Sequence, residues 1–449
     1  MEKCKILKNR QKVHFIGICG ASMSGLSLHL RNKGYIVSGS DINTKNASFL
    51  EKKGIIVQNQ HKKENLKNAD AVVFTSAISE NNEELGEAKD KGILLIKRSE
   101  LLGEVLEDFN LSIAVSGSHG KTTTTDMLAN VLIDANLDPT VFLGGEDKTF
   151  GNYRFGGDKI AVAEACEYQR NFLDLKPKIC VVLNVDNDHM DTYKDINEVI
   201  NAFSLFINNS ISIINADDKN SEKLMLPKSI TFGIKNKANF TAKNIVKNQN
   251  GYSFSAYQGK LKLGRINLRI DGWHNVYNAL SVIAVCQTLN VPFSVQKKAL
   301  EKFSGVKRRN EFLGQFNNLK AYADYAHHPK EISAMLQTFN NNRGNFITVF
   351  QPHTYSRTAL LMQDFLESFK NCSPLIIYKT FPARENFNKS GSAKTLYKNL
   401  KKINKNKVFY ASTKKELSII LNDICFEYDK VVFLGAGDIY HVAKSLVKN

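Results

Sequence analysis

The sequence predicts an α/β protein of three domains built on mainly parallel sheets. Three observations predict it. Strand-like apolar runs alternate with helical patterns from one end to the other, as in successive βα units. Two runs end in glycine-rich turns that open helical patterns, at residues 17–25 and 117–120. The chain has 449 residues, enough for roughly three domains of about 150 residues each.

The first block, residues 1–109, opens with the apolar run Val13-His14-Phe15-Ile16 and the turn Gly17-Ile18-Cys19-Gly20-Ala21-Ser22-Met23-Ser24-Gly25. Strands are expected at Tyr35–Ser38, ending near Asp41, and at Ala71–Thr75, followed by Ser76-Ala77-Ile78. The polar stretch Glu107–Asn110 reads as a linker. The second block, residues 110–306, has strands at Leu111–Val115, Ile160–Ala163 and Ile179–Leu183. Its segment Asn236–Ile270 is irregular with short β signals, and a helix follows from Trp273 to Leu289. The third block, residues 307–449, has strands near Tyr322–Ala323, Phe346–Phe350, Leu375–Tyr378 and Val431–Leu434.

Composition narrows the function. Hydrophobic residues are 43% and charged residues 23%, which excludes disordered, collagen-like and coiled-coil chains. No run approaches the roughly 18 apolar residues of a membrane span, and Met1–Lys12 lacks the apolar core of a secretory signal. A cytoplasmic protein without membrane insertion is expected. Lys and Arg exceed Asp and Glu by 61 − 44 = 17. The basic residues are scattered, which fits anionic small-molecule substrates better than a nucleic-acid face. The seven cysteines show no C-x-x-C pair or metal-ligand spacing, so they read as reduced and mostly buried.

The strongest chemical signal is Gly117-Ser118-His119-Gly120-Lys121-Thr122-Thr123, between an apolar strand and the helical pattern Asp126–Ile133. Such a loop aims backbone N–H groups and a helix N-terminus at phosphates. Lys121 then reaches the terminal phosphates, and the Thr122 hydroxyl sits on Mg²⁺. The spacing G-x-x-G-K-T is shorter than the common nucleotide loop. Two further clusters follow strands: Ala163-Glu164-Ala165-Cys166-Glu167 and Asn184-Val185-Asp186-Asn187-Asp188-His189-Met190-Asp191. Ligands of open parallel sheets bind beyond the carboxyl ends of strands. Lys121, Thr122, Glu164 and His189 are therefore expected in one crevice. Their carboxylate, imidazole and hydroxyl donors suit Mg²⁺ or Mn²⁺ bridging ATP phosphates. The turn at 17–25 resembles a dinucleotide loop with Cys19 at the second glycine, and Asp41 falls where a ribose-binding acid would. Taken alone, it supports binding of some nucleotide diphosphate. Six of the ten histidines fall in compact polar motifs: His119, His189, His274, His327, His328 and His353.

The chain resembles the Mur ligases over essentially its whole length. The markers are the loop at 117–123, Asp188-His189-Met190-Asp191-Thr192-Tyr193, His274-Asn275-Val276-Tyr277-Asn278-Ala279-Leu280, Arg308-Arg309, Asp324-Tyr325-Ala326-His327-His328-Pro329 and Gly435-Ala436-Gly437-Asp438-Ile439. The turn at 17–25 is similar to that of the alanine-adding branch. The resemblance implies a Rossmann-like N-terminal domain for the UDP-sugar, a central P-loop-type ATPase domain and a Rossmann-like C-terminal domain for the amino acid. It implies ATP-driven joining of L-alanine to UDP-N-acetylmuramate through an acyl phosphate, in peptidoglycan precursor synthesis. The chain would be a monomer or weak homodimer.

By the same resemblance, residues 117–123 cradle ATP, with Thr122, Glu164 and His189 at the metal. Asn275 lies on the adenine side, and Arg309 and Asp324 lie near the nucleotide. Gly20, Ser22, Ser24, Gly25, Asp41 and Ser76 serve the UDP-sugar. Tyr325, His327 and Arg357 serve the alanine, with His327 near its amine. Three departures stand out: Ala323 where many members carry Asp, Cys166 where many carry Asp, and Thr354 where many carry Arg. A carboxylate in a closed site needs a cation, so Arg384 is expected to fill part of the role missing at Thr354. Within the family, the alternative is the recycling ligase that attaches a whole tripeptide to the same UDP-sugar. Outside it, the alternative is a basic NTP-driven nucleic-acid-binding protein.

Overall fold

The computed structural model describes residues 4–188, 192–248, 251–340, 345–383, 385–403 and 407–447. The expectations for His189, Met190, Asp191 and Arg384 lie outside these residues. The described chain forms two compact units, residues 1–304 and 305–449. The first holds two sheets and the second one. Among the described residues, no helix is long and apolar enough to cross a membrane.

The first sheet contains β1 (Lys12–Ile16), β2 (Ile36–Asp41), β3 (Ile56–Asn59), β4 (Ala71–Phe74) and β5 (Leu94–Lys97), in the order β3-β2-β1-β4-β5. All pairs are parallel. This order changes direction beside β1, where the glycine-rich turn leads into the helix Ala21–Asn32, and such a switch point is where open sheets bind ligands. Val13, Phe15 and Ile16 are fully buried or nearly so, as expected of a strand covered on both faces. The Glu107–Asn110 stretch is no loose linker. Glu107 ends the helix Arg98–Glu107, and Phe109 is buried, with its ring 6.2 Å from that of His29.

The second sheet contains β6 (Leu111–Ser116), β7 (Thr140–Asp147), β8 (Gly151–Arg154), β9 (Ile160–Glu164), β10 (Ile179–Val182), β11 (Ile211–Asn215), β12 (Ile230–Gly233), β13 (Phe240–Lys247), β14 (Tyr252–Gln258) and β15 (Leu261–Asn267). Its order is β15-β14-β13-β12-β11-β10-β6-β9-β7-β8. The centre is parallel and both edges end in antiparallel pairs. The segment Asn236–Ile270, expected to be irregular, forms the regular meander β13–β15. Polar residues alternate with apolar ones along it and blur the apolar pattern, even where they are buried, as Ser253 and Ser255 are beside Phe254. The helix expected at Trp273–Leu289 spans His274–Thr288 and packs against the helix Lys121–Asp134.

The third sheet contains β16 (Glu311–Phe316), β17 (Leu319–Asp324), β18 (Phe346–Phe350), β19 (Leu375–Tyr378), β20 (Val408–Ala411) and β21 (Lys430–Leu434), in the order β16-β17-β21-β18-β19-β20. Only the β16–β17 hairpin is antiparallel among its described pairs. The short strands β3, β5 and β20 have no counterpart in the sequence expectations. Ile56 and half-buried Leu94 sit at sheet edges, where one exposed face weakens the apolar signal.

Candidate functional site

The turn after β1 is shaped by β2. The N–H groups of Gly17 and Ile18 donate to Ser40 O at 2.8 and 3.1 Å. The Cys19 N–H donates to Asp41 Oδ2 at 2.9 Å. Asp41 therefore fixes the turn through the residue that replaces the second glycine. The helix Ala21–Asn32 starts at Gly20 with no side-chain cap, an arrangement open to a phosphate. The Ser22 hydroxyl accepts from Arg98 Nη1 at 3.1 Å. Ser24 is buried; its hydroxyl donates to Ala21 O and accepts from Asn152 Nδ2 at 2.9 Å. Gly25 faces Tyr153, leaving a built Cβ 3.5 Å from that side chain. Ser76 is exposed just past β4. The β7–β8 hairpin thus braces the start of this helix, a contact between distant segments that sequence reasoning did not foresee.

The loop after β6 needs its glycines. Gly117 has φ +135° and Gly120 φ +88°, the second in the left-handed region that disfavours side chains. A Cβ on Gly120 would also stand 2.9 Å from Asn278 Oδ1. Asn184, past β10, pins the loop. It accepts the His119 N–H at 2.8 Å through its side chain and the Ser118 N–H at 3.1 Å through its carbonyl. The His119 ring lies 3.6 Å from Asp186. Thr122 is buried and Thr123 half-buried on the first helical turn.

Lys121 bends back over its own loop. Its Nζ donates to Gly117 O at 2.5 Å and lies 2.9 and 3.0 Å from the two Glu167 oxygens. Burial opposes the charge on Lys121, but the Glu167 carboxylate, with Cys166 and Glu164, outweighs it and holds the ammonium above the ordinary lysine range. The Thr122 hydroxyl donates to Glu164 Oε2 at 3.0 Å, and Glu164 Oε1 accepts the Gly144 N–H at 2.5 Å. A Cβ on Gly144 would stand 3.0 Å from Glu164 Oε2, so the carboxylate occupies a cradle that admits no side chain there. A hydroxyl and a carboxylate side by side are hard oxygen donors that fit Mg²⁺. Among the described residues no group of three or more His, Cys, Asp or Glu could hold a metal by itself. Asn275 is buried and donates to Asp271 O at 2.6 Å, while its Oδ1 accepts from Asn278 at 3.0 Å. Strand ends β6, β9 and β10 thus bring residues 117–123, Glu164 and Asn184–Asp188 to one edge of one sheet.

The second unit gathers the remaining motifs at the carboxyl ends of β17, β18 and β21. Arg308 lies between the rings of Tyr325 and Tyr440, 4.7 and 5.3 Å from their centroids, and donates to Gly435 O and Gly437 O. Arg309 lies 5.1 Å from the Tyr325 centroid. Asp324 accepts the N–H groups of Asn310 and Ala326, each at 2.7 Å. Burial raises its pKa against the pull of Arg309. His327 Nδ1 is 3.1 Å from Tyr325 O and 3.4 Å from Glu331. Burial lowers its pKa despite Glu331 and so favours the neutral ring. The Arg357 guanidinium is 3.2 Å from His353 Nδ1, and burial, His327 and Arg357 push His353 down to about 4. A bridge between His353 and Phe381 lays the segment at 379–383 beside 351–357. Glu385 accepts from the Ser356 amide at 2.9 Å and from its hydroxyl. Thr354 caps the helix Tyr355–Leu360. Sequence reasoning missed the role of Gln351, whose amide holds Asp438 at 2.6 Å and the Ile439 N–H at 2.9 Å. Its only signal was its place beside Pro352-His353.

Comparisons with known proteins place the chain in a family. The family models described as Mur ligase family, catalytic domain, Mur ligase middle domain, and Mur ligase, glutamate ligase domain match residues 12–110, 115–286 and 308–437. The UDP-N-acetylmuramate--L-alanine ligase of Acetivibrio thermocellus is 42% identical over 100% of this chain and 98% of its own length. The protein of the same name from Aquifex aeolicus is 40% identical over 98% of this chain and 97% of its own. The crystal structure of the UDP-N-acetylmuramate-alanine ligase of Thermotoga maritima matches with a TM-score of 0.83 at 28% identity, covering 97% of this chain and 98% of that one. A murein peptide ligase from Psychrobacter arcticus shares the fold, with a TM-score of 0.72 at 24% identity over 97% of this chain and 98% of that one. With all three blocks matched and such identity along the full length, the chain belongs to the Mur ligase family.

Proposed function

We infer that this chain is an ATP-dependent ligase that joins L-alanine to the lactyl carboxylate of UDP-N-acetylmuramate in peptidoglycan precursor synthesis. The observation that carries this reading is the Lys121–Thr122–Glu164 arrangement after β6 and β9, in a chain about 40% identical over its length to ligases of that name. Residues 1–109 hold the UDP-sugar, 110–306 the ATP and 307–449 the amino acid. The protein works in the cytoplasm.

The chemistry follows from the donors present. A carboxylate does not accept an amine at neutral pH, so it is first phosphorylated. The lactyl carboxylate attacks the γ-phosphorus, ADP leaves, and the alanine amine then displaces phosphate from the acyl carbon. The 117–123 amides and Lys121 offset the charge on the transferring phosphoryl group. Mg²⁺, when bound, neutralises phosphate charge beside Thr122 and Glu164. Arg357 pairs with the alanine carboxylate, as its planar fork suits. The neutral His327, with Nδ1 turned to Tyr325 O, keeps Nε2 available to an amine proton.

Phosphate release with UDP-N-acetylmuramate and ATP tests the reading across L-alanine, glycine, L-serine and the cell-wall tripeptide. L-Alanine is expected to give the highest kcat/KM. Turnover with the tripeptide and none with L-alanine would transfer the chain to the recycling reaction.

A further inference from the structure

Lys121 is fully engaged by groups of its own chain. An ammonium has three N–H donors, and this one has four acceptors within reach: Gly117 O at 2.5 Å, Ser118 O at 3.3 Å and both oxygens of Glu167. Glu167 is 1% exposed, so its charge is poorly solvated and its hold on the lysine is strong. The Glu167 backbone is also tethered. The Glu167 carbonyl accepts the Tyr193 hydroxyl at 2.6 Å. Glu167 leads into the turn Tyr168–Asp174, whose Gln169 and Arg170 are left-handed, at φ 50° and 59°. Arg170 lies 5.5 Å from the Tyr193 ring and pairs with Glu198. A terminal phosphate therefore shares Lys121 with a buried carboxylate on a tethered backbone.

We propose that Glu167 is a positioning residue that holds Lys121 and competes with the nucleotide phosphates for it. The proposal rests on the reading of residues 117–123 as the ATP loop. Glu167 sets two quantities in opposite senses. It weakens nucleotide binding, because the phosphates must draw the ammonium away from a carboxylate. It supports turnover, because it keeps the ammonium in one place.

The test uses the full chain. In Glu167→Gln the amide still accepts one N–H bond from Lys121 but carries no charge. ATP and ADP should bind about tenfold more tightly, and kcat should fall, so KM for ATP and kcat drop together. Glu167→Asp, which keeps the charge on a shorter arm, should return the nucleotide Kd toward wild type. Competitive acylation of amines, read by mass spectrometry, reports on Lys121 itself. Lys121 should react several-fold faster in Glu167→Gln than in wild type, with the other lysines unchanged. Saturating ATP should protect Lys121 in the wild type. Absence of that protection would overturn the ATP-loop reading and the proposal with it. Protection by ATP combined with unchanged Lys121 reactivity and unchanged nucleotide Kd in Glu167→Gln would overturn the role of Glu167 alone.

Discussion

Asp126 lies on the helix that follows the nucleotide loop and has no exposed surface. Burial raises its pKa to about 9, with the nearby Asp147 and Glu164 carboxylates adding to the effect. The folded protein therefore carries a proton on Asp126 at pH 7. An unfolded aspartate titrates near 3.9, and each pH unit between the two values is worth about 1.36 kcal/mol. The folded state binds more protons than the unfolded one across this window, so stability falls as pH rises. The favourable contribution is fully present below about pH 4. By pH 7 about 4 kcal/mol of it has been lost, and loss continues up to about pH 9. Asp126→Asn removes the need for the proton. Its Oδ1 still accepts from Asn130 Nδ2, which lies 3.1 Å from the present carboxyl oxygen, and its NH₂ can donate to Asp147. The variant should exceed wild type by up to about 4 kcal/mol at pH 7, less whatever the amide loses in fit. The two should converge near pH 4. Denaturant titrations from pH 4 to 9 measure the difference. Parallel stability curves over pH 5–8 would refute the assignment of the proton to Asp126.

Other expected outcomes address the reaction. Lys121→Ala should lower turnover by roughly 10²–10³-fold or more in steady-state assays. It should also lose folding stability, because Glu167 is buried and its lysine is removed; an unchanged denaturation midpoint would contradict the burial argument. Glu164→Gln should raise the Mg²⁺ concentration needed for half-maximal rate and leave UDP-sugar affinity intact, as should His189→Ala; overlapping Mg²⁺ titrations would remove these residues from the metal. Arg357→Ala should raise KM for L-alanine strongly with KM for ATP little changed, and Arg384→Ala should do the same. Thr354→Arg in the Arg384→Ala background should recover part of the affinity, at a cost of about 1 kcal/mol for the lost helix cap; an unchanged alanine KM in Arg384→Ala would leave Arg357 as the sole partner of the carboxylate.

The composition and local order of the chain determine much of this. Strands buried on both faces, such as β1, β6 and β18, are continuous apolar runs, so their positions are legible directly. The glycine-rich loop after β6 is equally legible, because Gly117 and Gly120 answer a local backbone demand and Lys121 follows at once in the chain. Strand-end logic also marked Glu164 before any coordinates, since a parallel sheet gathers its carboxyl ends on one edge.

What only the tertiary structure decided depends on contacts between distant residues. The meander β13–β15 was hidden because its strands mix polar with apolar residues, including the buried Ser253 and Ser255 of β14, and so carry little apolar signal. The tie from Asp41 to Cys19, the bracing of Ser24 by Asn152, and the enclosure of Arg308 between Tyr325 and Tyr440 join residues 17 to 132 positions apart. Glu167 is the clearest case. In sequence it is one of 44 acidic residues. Burial beside Lys121 is what gives it a charge partner, and burial is a property of the folded chain, because solvent is excluded only when the strand ends and the turn at 168–174 close around it.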